Sequence, residues 1–251
     1  MPFVTVRNLS AISVAVTSWM LVPGQAHATW TGKGEAGLVI ANGNTDTQNG
    51  NAKLDLATTE GNWKHAVGLA GLYATTDGFT SGQRWEATEQ SDYNFSPRNF
   101  WFGAGRYEDD RFSGFEYQAT LSSGFGHHFI DTEHTKLVGS AGIGYKLAST
   151  RDVYDDAGLL LQRGESNDQA VFRGTADYSH DLTATTRLTD KFLVESGTDN
   201  TFMQNDVSVQ VKINAVLGLA AGYSVRHNSD PALGFKKTDT LTTLNLVYEV
   251  K

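Results

Sequence analysis

The stretch Asp110–Phe129, "DRFSGFEYQATLSSGFGHHF", decides the fold. It is too polar for a membrane helix and too rich in glycine for a stable soluble helix. Its apolar and polar residues instead alternate with a period of two, which indicates a β-strand with one apolar face. The apolar face holds Tyr117, Ala119, Leu121, Phe125 and Phe129. The two faces of this strand are therefore expected to meet different environments.

The same alternation recurs from Thr29 onward, with no persistent 3.6-residue stripe. Longer connections such as "TTDGFTSGQ" and "STRDVYDDAGLLLQRGESND" alternate with short ones such as "EGN" and "SPRN". Counting the segments between them gives about twelve strands, and an even number with long loops at one end is typical of outer-membrane barrels. We therefore predict an all-β fold, an up-and-down antiparallel transmembrane β-barrel of about twelve strands with a polar, charge-paired lumen.

The first 28 residues have the features of a targeting segment. Arg7 is followed by the apolar run Leu9–Val22, by Pro23-Gly24 and by the small-x-small site Ala26-His27-Ala28. We expect residues 1–28 to be a cleaved signal peptide and residues 29–251 to form a single outer-membrane barrel domain.

Composition excludes several classes of function. The formal net charge of −8 argues against a nucleic-acid partner. Because the chain has no cysteine, it has no disulfide, no thiolate metal site and no cysteine nucleophile.

Aromatic residues on the apolar faces fall near the strand ends, and small or aliphatic residues lie between them. Two such girdles are what the two membrane interfaces favour. The predicted girdle nearer the short turns contains Trp63, Tyr93, Trp101, Phe129, Tyr178 and Tyr248. The predicted girdle nearer the long loops contains Tyr73, Trp85, Tyr107, Tyr117, Tyr145, Phe172 and Tyr223.

The opposite faces carry charge on nearly every strand. The candidate charge network of the lumen consists of Arg84, Glu86, Arg106, Glu108, Glu116, Arg173 and Asp177. Alternation alone also fits a soluble barrel with these charges outside. In that case the apolar faces, with many rings and few aliphatic residues, would have to fill a wide interior, whereas contact with lipid needs no close packing. Glu89 and Asp190 fall on the outward parity, so we expect either a β-bulge near each or an error in the assigned parity.

Three quoted segments carry a family resemblance: "NGNTDTQNGNAKLD", "EGNWKH" and "GRYEDDRFSGFEYQATLSSGFGHHF". With them the chain resembles the YdiY-like family of salt-induced outer-membrane proteins. The resemblance is strongest over Trp30–Phe129 and implies an outer-membrane barrel of a Gram-negative bacterium, without a cofactor or catalytic residues. The chain departs from many such barrels because it ends "LVYEVK", with Tyr248 as its last aromatic residue.

Motifs for other chemistry are weak. "GKGEAG", residues 32–37, lies inside a strand pattern and not between a strand and a helix, so it does not predict a dinucleotide site. His127 and His128 are adjacent in a strand and therefore project to opposite faces, which disfavours a shared metal. An outward serine hydrolase would need a serine and a histidine in contact, and Ser123 lies about 13 Å from His127 along one strand. Cross-strand pairs, such as His180 with a neighbouring hydroxyl, remain open.

We predict a non-enzymatic outer-membrane barrel, either a narrow channel or an osmotic or salt-stress envelope protein, without cofactor, metal or catalytic residues. The alternatives are an outer-membrane lipid hydrolase and a soluble exported barrel that binds an apolar ligand. The expected partners are outer-membrane lipids, lipopolysaccharide and, during insertion, the barrel assembly machinery.

Overall fold

The structure is a computed structural model that describes residues 29–41, 47–111, 113–155, 157–231 and 233–250. The predicted signal peptide, 1–28, lies outside the described residues. The described strands are β1 (Thr29–Ala41), β2 (Thr47–Glu60), β3 (Trp63–Thr76), β4 (Phe79–Asn94), β5 (Asn99–Asp110), β6 (Phe115–Asp131), β7 (Thr135–Thr150), β8 (Val153–Tyr154), β9 (Leu160–Gln162), β10 (Ser166–Asp181), β11 (Thr186–Ser196), β12 (Thr201–Lys212), β13 (Leu217–Asn228) and β14 (Thr238–Val250).

Twelve of these strands close into one antiparallel barrel, in which β1 pairs with β14 to complete the ring. β8 and β9 form a separate two-stranded ribbon in the connection between β7 and β10. The predicted fold class is confirmed. Within the described residues, no helix is both long enough and apolar enough to cross a membrane.

One connection differs from its prediction. The stretch "TTDGFTSGQ" is not a long loop, because β3 and β4 continue through it as far as Asp77 and Gly78. Both residues have positive φ, 52° and 79°, which a two-residue type I′ hairpin turn requires. Asp-Gly favours this turn, so the strands extend to the tip of the hairpin.

The outer wall is apolar and rich in rings. Ten of the thirteen predicted girdle aromatics have exposed side chains, and Tyr107, Tyr117 and Tyr178 are half-buried. Near the long-loop end, the Trp85 ring stacks on Tyr107 with centroids 4.8 Å apart. Near the short-turn end, Trp63 and Tyr93 lie 5.0 Å apart. Rings exposed at both ends of the strands fit the two interfaces of a membrane.

The lumen is not purely polar, because Phe100 and Phe102 of β5 point into it and are almost fully buried. Glycines of β6 give them room. A Cβ on Gly126 would collide with the Phe100 ring, and a Cβ on Gly124 would lie 2.8 Å from the Phe102 ring. The glycines of β6 therefore allow these aromatic rings to approach the inner wall closely.

Candidate functional site

A carboxylate in the lumen joins opposite sides of the barrel. Arg106 and Glu108 lie two residues apart in β5, so both project inward. The Glu108 carboxylate accepts hydrogen bonds from Arg106 and from Arg226 of β13. β5 and β13 lie opposite each other in the ring, with five strands between them on either side. Direct side-chain contacts therefore cross the lumen from wall to wall.

A second carboxylate extends this crossing. Glu195 of β11 lies 3.7 Å from Arg106 and 3.8 Å from Lys146 of β7, and it accepts a hydrogen bond of 3.2 Å from Thr120 of β6. Arg106 also donates to Glu86 of β4 at 3.1 Å. Arg106 therefore contacts acids from three different strands.

Phe202 of β12 lies among the cations of this group and is fully buried. Arg106 lies 4.5 Å from its ring centroid, Arg226 lies 5.1 Å away and Lys146 lies 5.4 Å away. Cations at such distances from a ring are attracted by its negative face. We define the constriction cluster as Glu86, Arg106, Glu108, Lys146, Glu195, Phe202 and Arg226.

The cluster keeps hydrogen-bonding capacity that the protein does not use. Arg106 Nε, Lys146 Nζ, Arg226 Nη1, Glu108 Oε1 and Glu195 Oε1 are buried and have no hydrogen-bond partner among the described residues. Both donors and acceptors are represented. Such a set suits hydration or a small polar solute better than a dry, closed core.

The short-turn half of the lumen is more open. A cavity of about 230 Å³ there is lined by charged and polar side chains that include Lys64, Asp92, His128 and Asp177. A larger cavity of about 390 Å³ lies at the short-turn mouth, where Arg187 donates to Asp181 at 2.6 Å. The lumen is therefore asymmetric, with its constriction in the long-loop half.

The predicted network residues take different positions. The constriction cluster includes Glu86, Arg106 and Glu108. Outside it, Arg173 lies 5.2 Å from the Phe102 ring, and Asp177 lines the 230 Å³ cavity in the short-turn half of the lumen. Arg84 lies opposite Asp110 of β5.

Glu116 was expected in the same network, but the structure places it on the exposed surface, where it accepts a hydrogen bond from Ser149 at 3.4 Å. The reason is a register shift between Phe115 and Tyr117, which interrupts the alternation of β6.

Sequence reasoning left Lys146, Glu195, Phe202 and Arg226 out of the candidate network. The parity of the three charged residues indicates an inward position, but parity does not show which of them lie at the same height. Phe202 gave no signal of its own, because an inward ring departs from the expected polar face.

Glu89 and Asp190 do face outward. Neither of the two explanations expected for them holds, because no register shift occurs at either residue in the pairing of β3 with β4, β4 with β5, β10 with β11 or β11 with β12. Each carboxylate instead accepts a hydrogen bond of 2.6 Å on the outer wall, Glu89 from Ser91 and Asp190 from Asn205.

Outward histidines bond across to the neighbouring strand. The pairs are His65 with Ser91 at 2.7 Å, His127 with Asn99 at 2.7 Å, His180 with Thr135 at 2.8 Å and His227 with Thr238 at 2.8 Å. In each pair the partner lies directly opposite in the strand register. Bonding across strands is therefore the ordinary way in which this wall accommodates a histidine.

An apolar wall with exposed rings around a charged lumen defines a membrane-spanning β-barrel. Residues 34–250 match a family model described as "Protein of unknown function, DUF481", and the chain belongs to this family. The YdiY-like resemblance is confirmed. The chain is similar to the "Uncharacterized protein YdiY" of Escherichia coli (strain K12), with 26% identity over 233 residues that cover 91% of this chain and 86% of the relative.

Among solved structures, the chain is similar to the translocator domain of autotransporter NalP from Neisseria meningitidis. It has 12% identity and a TM-score of 0.49, and the match covers 88% of this chain and 87% of that one. The NanC porin has 9% identity and a TM-score of 0.49, and the match covers 89% of this chain and all of that one.

Proposed function

We propose that this protein is an outer-membrane barrel of a Gram-negative envelope whose lumen is a narrow, charge-gated path for small polar solutes. Outer-membrane lipids and lipopolysaccharide contact the ring-rich wall, and the barrel assembly machinery inserts the chain. The lumen needs no catalytic group for this role.

The hydrogen bond that Arg226 donates to Glu108 carries the proposal. This bond joins opposite walls of the barrel, and the side chains of Arg226 and Glu108 are both almost completely buried. On this proposal, solutes larger than water pass when this contact opens. The ion pairs are reversible contacts between side chains, so local rearrangement opens the path without unfolding the barrel.

The balance of charge in the constriction cluster argues against a strongly selective ion filter. Its cations, Arg106, Lys146 and Arg226, face the acids Glu86, Glu108 and Glu195, so the two signs are matched. A ring of one sign is what a selective channel uses. We therefore expect weak selectivity between small anions and small cations.

Planar-bilayer recording of the purified full chain tests the proposal. We expect small, intermittent currents from the wild type and a several-fold larger conductance from Arg226→Ala, because the contact across the lumen is lost. Arg187→Ala is the matched control, since Arg187 is an arginine at the wide short-turn mouth, paired with Asp181. Its conductance should equal that of the wild type.

Heat-modifiable gel migration verifies that each variant is folded. If the folded wild type and the folded Arg226→Ala variant both fail to conduct, the barrel is a closed structural element of the envelope. The channel proposal is then wrong.

A further inference from the structure

Three polar side chains meet on the lipid-facing wall between β3 and β4. The Ser91 hydroxyl donates to Glu89 Oε1 at 2.6 Å, and His65 Nδ1 lies 2.7 Å from the same hydroxyl oxygen. Since Ser91 and Glu89 lie two residues apart in β4, and His65 lies directly opposite Ser91, all three share one face. We call this group the outer-wall triad.

We propose that the outer-wall triad is a serine-nucleophile site that cleaves acyl esters of membrane lipids. This function goes beyond the lumen path proposed above and departs from the expectation of a non-enzymatic protein. It also shares no residue with the constriction cluster.

The first argument is the cost of the carboxylate. Glu89 lies four residues from Tyr93 and four from Trp85, which are girdle residues at opposite ends of β4, so it is at mid-height on the apolar wall. An acidic group facing hydrocarbon is destabilising, and ionisable groups kept within the membrane are most often functional.

The second argument is the contrast with the other outward histidines. His127, His180 and His227 also bond the residue opposite them, through an amide or a threonine hydroxyl. At His65 the partner is a serine, and its hydroxyl also contacts a carboxylate. A serine hydroxyl is activated as a nucleophile by an adjacent general base, and here the Glu89 carboxylate accepts the Ser91 proton directly while His65 contacts the same oxygen.

The third argument is height in the membrane. The pair of His65 and Ser91 lies two residues above the girdle pair of Trp63 and Tyr93. With about 3.3 Å per residue and a strand tilt of about 40°, the hydroxyl lies roughly 5 Å inside the interface. The acyl esters of glycerophospholipids lie at this boundary between headgroups and hydrocarbon.

The fourth argument is access. Gly103 and Gly105 of β5 lie opposite Ser91 and Glu89, respectively, and a Cβ at either position would meet nothing within 4 Å. The wall beside the triad is therefore flat and open, so an ester group has room to approach Ser91 from the membrane.

These positions assign a role to each group. Because the single proton of the Ser91 hydroxyl is donated to Glu89, the contact with His65 is an N–H donated by Nδ1 to the hydroxyl oxygen. Glu89 is then the general base, and His65 holds the nucleophilic oxygen in place.

The reaction balances with water as its second reactant. Ser91 Oγ attacks the ester carbonyl carbon as its proton passes to Glu89. The carbon–oxygen bond to the lipid alcohol breaks, and the leaving alkoxide takes the proton from Glu89. Water then attacks the acyl-serine, Glu89 accepts the water proton and returns it to Ser91 Oγ, and a fatty acid is released.

The experiment uses the full-length barrel in mixed micelles of detergent and phosphatidylethanolamine. We measure fatty-acid release and covalent labelling by a fluorophosphonate probe, with peptide mapping of the labelled serine. Ser91→Ala should abolish both signals. Glu89→Gln should lower the rate of release by about 100-fold or more, since that is the contribution of a general base.

Two control variants match the chemistry without the triad. Ser123 lies on the same ladder row as Ser91, across Gly103, and donates instead to the Phe102 carbonyl oxygen at 2.8 Å. Asp190 is another outward carboxylate, bound by Asn205. Ser123→Ala and Asp190→Asn should retain full release and labelling.

Heat-modifiable migration confirms folding before each assay. If the folded wild type releases no more fatty acid than Ser91→Ala and takes no label at Ser91, the triad is a structural contact and the proposal is wrong. Bilayer conductance is measured on the same preparations, so failure of the lumen path is recorded separately from failure of the esterase.

Discussion

Replacing Glu195 by glutamine should destabilise the barrel by about 3–5 kcal/mol, the usual cost of breaking a buried ion pair. The carboxylate is fully buried and lies 3.7 Å from Arg106 and 3.8 Å from Lys146. At an effective dielectric constant of about 20, each contact is worth roughly 4 kcal/mol. Glutamine has nearly the same shape and can still accept the hydrogen bond from Thr120, so the change removes mainly charge.

The two cations do not lose the same amount of electrostatic stabilisation. Arg106 keeps its contacts with Glu86 and Glu108, whereas Lys146 loses the salt bridge to Glu195 and has no hydrogen-bond partner among the described residues. Most of the lost electrostatic energy should therefore be that of Lys146. The total destabilisation should be well below the sum of the two Coulomb energies.

Urea unfolding of the barrel in phosphatidylcholine vesicles, followed by tryptophan fluorescence, measures the change. Asp131→Asn is the control, because Asp131 and Lys136 form a pair at 3.7 Å in which both side chains are more than half exposed. That control should change stability by less than about 1 kcal/mol. If Glu195→Gln lowers the free energy of unfolding by no more than the control does, the ion pairs of the constriction cluster do not stabilise the barrel and the reasoning is wrong.

Two further outcomes are expected. Gly124→Ala should cost about 1–3 kcal/mol in the same urea assay, because the new Cβ would collide with the Ala141 carbonyl oxygen and would lie 2.8 Å from the Phe102 ring. Gly103→Ala meets open space and should be neutral, and equal losses in the two variants would contradict the packing argument. Asp152, in the loop after β7, has its pKa held below its ordinary value of 3.8 because the backbone N–H of Gly164 donates to its carboxylate. The stability that the ionised carboxylate gives the loop is complete above the ordinary pKa and is lost as pH falls through the lowered value. Hydrogen exchange in the β8–β9 ribbon, corrected for intrinsic rates, should therefore rise below about pH 4 in the wild type but stay flat in Asp152→Asn. The same rise in both proteins would show that Asp152 is not responsible.

Alternation along the chain was sufficient to predict the faces of most strands. The outward position of rings such as Trp85 and the inward position of Arg106 and Glu108 follow from a period of two. Glu116 is the exception, since the shift of register beside it has no sign in the sequence. The length of the β3–β4 connection was also misjudged, because Asp77-Gly78 was not recognised as a complete turn.

The sequence by itself determined a barrel architecture, the approximate number of strands and which face of most strands lines the lumen, because each of these depends on local periodicity and turn residues. Only the tertiary structure decided that Glu108 meets Arg226, 118 residues away, and that His65 meets Ser91 on the outer wall. Such meetings depend on the height of each residue in the barrel. Height is set by the register of every hairpin and by the stagger at which the ring closes, and these are properties of the whole barrel that no single strand carries.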